Sequence, residues 1–287
     1  LRPFHPGDRC IYGFRTSHRP SPWMQDYGIL RILPQTGTLT LDEESRWSSF
    51  RPEDSSHTPH GLKFTLLRYA LTVHLETTER CALMRIQNTE KRELRLLVDG
   101  AEFPIQSFSW KKQERLLELS TKIPSFCAKR VLFHYAIQFE EANIDFVSHG
   151  NTLEILFPER PQTVTLITGS SFVSTKQARK NLSKEILSNT IAQLETENSK
   201  LWNNHLNSLK LSLETPAETK ATVYSCFYRA SLFPRELHEY PNKETPEHLS
   251  PYDGTLRQGA QYGDVGFWDG YRTSFPWLAL TQPKRLA

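Results

Sequence analysis

Side chains able to do sugar chemistry cluster in two of three unusual stretches. The first runs Gly13-Phe14-Arg15-Thr16-Ser17-His18-Arg19-Pro20-Ser21-Pro22-Trp23-Met24-Gln25-Asp26-Tyr27-Gly28. The second is Phe227-Tyr228-Arg229-Ala230-Ser231-Leu232-Phe233-Pro234-Arg235, and the third joins Ser250-Pro251-Tyr252-Asp253-Gly254 to Gly266-Phe267-Trp268-Asp269-Gly270-Tyr271-Arg272-Thr273. Trp23 sits in a proline-rich, turn-like segment, where an indole face can stack on the apolar face of a sugar while its N–H donates to a hydroxyl. Asp269 carries a short carboxylate suited to accepting paired hydrogen bonds from vicinal hydroxyls. Each has a structural alternative. Trp23 can fill a domain interface, Trp268 can pack in the core, and Asp269 can pair with Arg272 three residues on in one helical turn. His18 and Asp26 can face the same mouth, or serve as a satisfied structural histidine and a turn cap. Asp253 and Asp264 read first as turn carboxylates.

Hydrolysis needs more than this. Inverting glycosidases place two carboxyls about 6.5–9.5 Å apart, one protonated and one ionised. Asp264 and Asp269 lie five residues apart, but nothing in the sequence places either in the apolar setting that raises a carboxyl pKa, so they are not assigned as acid and base. The Asp and His residues form no obvious cage of converging oxygens for calcium. Cys10, Cys81, Cys127 and Cys226 lack CxxC spacing and read as unpaired, buried thiols.

These residues need elements to hold them. From Gly61 onward, alternation of apolar and polar residues predicts strands at 62–66, 70–76, 81–86, 95–98, 130–137, 152–157 and 163–168, because a period of two sends one face to a core. Many short strands with polar turns argue an antiparallel sandwich. After Gly169 the pattern changes: 174–208 has neither Gly nor Pro. It reads as helical, with Ser174 and Gln177 spaced as a capping box. A second helix is predicted from Ala217 to just before Pro234. The expected organisation is a β-sandwich at 1–169, a helical connector at 170–216 and the start of a helical domain at 217–287.

Charge excludes some partners. The 287 residues carry 35 basic and 32 acidic side chains, net +3, too little and too dispersed for nucleic acid or an anionic membrane. No run has the 18 or so apolar residues of a membrane span. The chain begins at Leu1, so either a leader has been removed or the sequence starts within a longer gene.

Taken together and in order, the three stretches closely resemble glycoside hydrolase family 92, the calcium-dependent exo-acting α-mannosidases. Gln25, Val265 and the His18-Arg19-Pro20 form are departures from the family pattern. The resemblance implies a β-sandwich packed on an (α/α)6 barrel, of which 217–287 is an incomplete opening. It implies mannose-containing glycans as partners and inverting cleavage of terminal α-1,2-type mannose. Trp23, Asp269, Trp268, Arg272, Asp26 and His18 are the expected substrate-binding wall. The family's general acid, base and most calcium ligands are expected beyond residue 287, with no calcium bound by these residues alone. A secreted or periplasmic location is favoured by the same resemblance. The alternatives are a non-catalytic carbohydrate-binding sandwich module and an inactive gene fragment.

Overall fold

A computed structural model describes residues 7–16, 30–100, 103–122, 132–186, 188–241, 244–250, 252–263 and 266–286. The chain divides into two units, Leu1–Ser199 with Leu249–Leu256, and Lys200–His248 with Arg257–Ala287.

The first unit is built on antiparallel strands. They are β1 (Cys10–Ile11), β2 (Phe14–Arg15), β3 (Arg31–Thr36), β4 (Ser48–Ser49), β5 (Ser56–His57), β6 (Gly61–Leu66), β7 (Leu71–Thr77) and β8 (Cys81–Gln87). There follow β9 (Leu94–Asp99), β10 (Ile105–Lys111), β11 (Leu116–Lys122), β12 (Leu132–Phe139), β13 (Asp145–His149), β14 (Thr152–Leu156) and β15 (Thr163–Ser171). One sheet has eight strands in the order β10-β11-β12-β15-β8-β7-β6-β5, and the other has five, β13-β14-β9-β3-β2. Strands β10, β11 and β13 extend the set that alternation predicts.

Period-two alternation sorts the central strands of the large sheet. Val73, Met84, Ile86, Tyr135, Ile137, Val164 and Leu166 point inward to a core shared with Ile32, Leu96, Val98 and Ile155 of the small sheet. The opposite face carries Cys81, Leu83, Leu116, Ala136 and Ile167, and these are covered by helices. Helix α1 (Thr175–Glu185) supplies Ala178 and Leu182, and helix α2 (Ile191–Leu206) supplies Leu194. Gly169 on β15 permits the close approach: a Cβ there would lie 2.5 Å from the Ala178 carbonyl oxygen.

The single helical stretch expected over 174–208 is two helices, with Ile186 closing α1. Ser174 caps α1 by accepting from the Gln177 N–H at 3.0 Å. The reciprocal half of that box does not form. The Gln177 amide donates instead to Asn181 Oδ1 at 2.9 Å. The reciprocal box belongs to α2: the Thr190 N–H donates to Gln193 Oε1 at 2.8 Å and the Gln193 N–H to Thr190 Oγ1 at 3.3 Å. Cys81 is buried as expected, Cys10 is half-buried, and Cys226 is exposed, contrary to the buried-thiol reading. Its position on the outer face of a helix, beside the buried Phe227, explains the difference. Cys127 lies outside the described residues.

The outer face of the five-stranded sheet is polar yet buried. Arg31 and Asp99 are cross-strand partners on β3 and β9. Asp99 accepts from Arg31 at 3.0 Å and from Arg46 at 2.6 Å, all three side chains at most 6% exposed. Glu43 pairs with Arg31 at 2.6 Å, and that hydrogen bond holds its carboxyl below the usual range. Farther along the sheet, Glu154 forms an ion pair with Arg95, whose Nε lies 3.0 Å from Oε1, and its Oε2 lies 2.7 Å from His149 Nε2.

The second unit holds helix α3 (Ala217–Ser231), followed by α4 (Phe267–Gly270), α5 (Ser274–Thr281) and α6 (Pro283–Leu286). Short strands at Arg235–Glu236, His238–Glu239 and Tyr262–Gly263 interrupt the helical run expected after 217. Pro234, Pro241 and Pro246 cannot continue a helix. The unit's aromatic contacts join Trp202 to Tyr228 at 5.2 Å, His205 to Phe227 at 4.9 Å and Phe227 to Trp277 at 5.4 Å. Ser231 Oγ donates to the Phe227 carbonyl at 2.8 Å, so His205 Nε2, 2.7 Å from the same Oγ, is the N–H donor of that ring. Burial, and after it the nearby Arg285 charge, lowers the His205 pKa.

Candidate functional site

The Gly-Phe-Trp-Asp-Gly segment forms the short helix α4, entered through Gly266 in extended conformation. The Asp269 carboxylate turns back toward that entry, where a Cβ on residue 266 would lie 2.5 Å from Asp269 Oδ2. Only glycine fits there without a shift. The turn is fixed by the Gly270 N–H donating to the Gly266 carbonyl at 2.8 Å and by Thr273 Oγ1 donating to the Asp269 carbonyl at 2.9 Å.

This arrangement leaves Asp269 exposed. No Asp269–Arg272 ion pair forms among the described residues. The Arg272 guanidinium lies instead over the Tyr271 ring, 5.0 Å from its centroid. Trp268 is 77% exposed. Trp268, Asp269, Tyr271 and Arg272 thus present an aromatic face, a carboxylate and a guanidinium within one short stretch. That is a chemistry suited to polyhydroxylated ligands.

Just beyond α4, Ala230, Thr273, Ser274, Trp277 and Leu278 line a small open pocket. Trp277 Nε1 is buried there without a hydrogen-bond partner. Asp253 behaves as a turn carboxylate, its Oδ1 accepting from the Thr255 N–H at 3.0 Å and the Thr255 hydroxyl at 2.7 Å. His18, Trp23, Asp26 and Asp264 lie outside the described residues.

Calcium requires six to eight converging oxygens, and Asp269 belongs to no group of three or more Asp, Glu, His or Cys donors among the described residues. Such a group of donors exists elsewhere, in the first unit: His74, Glu76 and Glu195, with ligand atoms all within 4.8 Å of one another. Reading the sequence did not find it, because residue 195 is far along the chain from 74 and 76. The available signal was the i, i+2 spacing of His74 and Glu76, which puts both on one face of β7.

Comparison with known proteins gives the context. The glycosyl hydrolase family 92 N-terminal domain matches residues 1–179, and the glycosyl hydrolase family 92 catalytic domain matches residues 177–287. No curated protein matches the sequence. Among solved structures, the family GH92 inverting mannosidase BT2199 from Bacteroides thetaiotaomicron VPI-5482 superposes with a TM-score of 0.85 at 28% identity, covering 95% of this chain and 39% of that one. The family GH92 α-mannosidase BT3965 from Bacteroides thetaiotaomicron has the same fold, with a TM-score of 0.79 at 18% identity over 96% of this chain and 41% of that chain. The chain therefore spans about two fifths of the length of the structures it matches. With one family model on the sandwich and the other running from α1 to the last residue, the chain belongs to glycosyl hydrolase family 92.

Proposed function

We propose that this chain is the sugar-binding front portion of an exo-acting α-mannosidase that removes terminal α-1,2-linked mannose from glycans with inversion. The observation that carries the reading is the likeness of 95% of the chain to an inverting mannosidase. In this proposal 1–169 is the sandwich, 170–216 the connector and 217–287 the opening of an (α/α)6 barrel.

Asp269 accepts hydrogen bonds from two adjacent mannose hydroxyls, Trp268 and Trp23 supply aromatic faces, and Arg272, Asp26 and His18 complete the wall. This chain's residues bind and orient the sugar. In this reading the general acid, the base and most of the calcium ligands are other residues of the enzyme. Calcium would supply positive charge to sugar hydroxyls. Holding mannose by residues remote from the reacting bond lowers the barrier only where those contacts tighten as the ring flattens, which is the role assigned to Asp269.

The test is mannose release from α-1,2-mannobiose by the enzyme encoded by the whole reading frame. Release that is abolished by a calcium chelator and restored by calcium supports the proposal. Release from other α-glycosides, with none from mannosides, contradicts it.

A further inference from the structure

We propose that His74 Nε2, Glu76 Oε1 and a Glu195 carboxylate oxygen bind a divalent transition-metal ion of the zinc class, fastening the first turns of α2 to the outer face of β7. The Glu76 side chain is only 2% exposed, and a buried carboxylate needs compensating positive charge. No Lys or Arg among the described residues pairs with it. Lys63 and Arg85, the cross-strand partners of His74, are both exposed.

Glu76 is instead surrounded by nitrogen donors of neutral or titratable groups. Its Oε2 accepts from His60 Nδ1 at 2.8 Å and faces the Asn198 amide at 3.4 Å. The other oxygen, Oε1, faces His74 Nε2 at 3.3 Å. Two ligand atoms each about 2.0–2.1 Å from a tetrahedral zinc ion are about 3.3–3.4 Å apart, so the His74–Glu76 spacing is that of one tetrahedral edge. As a hydrogen bond it is long.

The surroundings match what a metal site requires. His60 and Asn198 occupy Oε2, which orients the carboxylate and leaves Oε1 for the ion, as outer partners of metal ligands do. Gly61 faces Glu76 across the β6–β7 pair, and a Cβ there would lie 2.2 Å from Oε1. The cradle exists because residue 61 is glycine. Leu194 and Asn198 anchor α2 at helical spacing, the Asn198 amide donating to the Thr77 carbonyl at 2.8 Å. That anchoring brings Glu195, on the same helix, to the exposed rim. Two carboxylates balance a divalent charge, an imidazole nitrogen selects against calcium and magnesium, and a water can take the fourth position.

The experiment uses the full 287-residue chain, stripped of metal and titrated with Co2+ as a spectroscopic probe and Zn2+ as competitor, beside Glu195→Gln and His74→Gln. Glu195 is exposed, so its variant folds. We expect one Co2+ per chain with a tetrahedral visible spectrum, displaced by Zn2+, and a loss of at least about 10- to 100-fold in affinity in both variants, the range seen even for outer-shell partners. Zn2+ should raise the melting temperature of the wild type and not of Glu195→Gln. Absence of stoichiometric Co2+ binding, or equal affinity in the wild type and Glu195→Gln, overturns the assignment.

Discussion

Replacing Asp99 by Asn removes one negative charge from a site where two guanidinium groups converge. Arg46 and Arg31 reach Asp99 at 2.6 and 3.0 Å, and the three side chains are 2%, 3% and 6% exposed respectively. Arg31 retains Glu43 at 2.6 Å, whereas Arg46 loses its hydrogen-bonded carboxylate. Breaking a buried pair from one side costs about 3–5 kcal/mol, because the remaining charge is left unpaired out of water. With a urea m-value of about 2 kcal/mol/M, the unfolding midpoint should fall by about 1.5–2.5 M. Fluorescence of Trp110, which packs on Phe139 at 6.0 Å and Phe146 at 5.1 Å within the sandwich, reports the transition. Adding Arg46→Met removes the Arg46 charge, and the double variant should be more stable than Asp99→Asn alone. A midpoint shift below about 0.5 M, or a double variant no better than the single, refutes the reasoning.

Three further outcomes are expected. Gly169→Val places a side chain against the Ala178 carbonyl and should lower stability by about 1–3 kcal/mol, read as a lower melting temperature with α1 and β15 losing hydrogen-exchange protection first. Glu141 has a buried, unpartnered Oε2, and burial lifts its carboxyl from the ordinary 4.5 to about 7. The folded state therefore binds more protons than the unfolded state between those values, so its contribution to stability falls as pH rises from 4.5 through about 7. Glu141→Gln should flatten that slope, and an unchanged urea-midpoint profile across the window would contradict it. In the full-length enzyme, Asp269→Asn should reduce kcat/KM on a mannoside by about tenfold to hundredfold, from the loss of a charge-assisted bond of about 1.5–3 kcal/mol. A folded variant with unchanged kcat/KM removes Asp269 from the site.

Much of the sandwich is legible because its core strands obey period two without exception on the inward face. Val73, Met84, Ile86, Val164 and Leu166 all sit where alternation puts them. Strand β9 is less legible, since Arg95 and Asp99 are buried as ion-pair partners and not as apolar side chains. Polarity there conceals burial. The break between α1 and α2 carries no Gly or Pro to announce it. It is set by the Thr190–Gln193 box, and a residue spacing of three is shared by many pairs that do not cap. For the site, the Gly266–Asp269 contact follows from local sequence, whereas the cation–π placement of Arg272 depends on the rotamer it adopts over Tyr271. The His74–Glu76–Glu195 cluster is created by docking of α2 on the sheet, a long-range event invisible to local pattern.

The most direct test of the account is the anomer first released when the enzyme containing this chain cleaves α-1,2-mannobiose, followed by proton NMR before mutarotation. Direct water attack with inversion predicts β-mannose as the initial product. Initial release of α-mannose, or no mannose release by the folded enzyme in the presence of calcium, would contradict it.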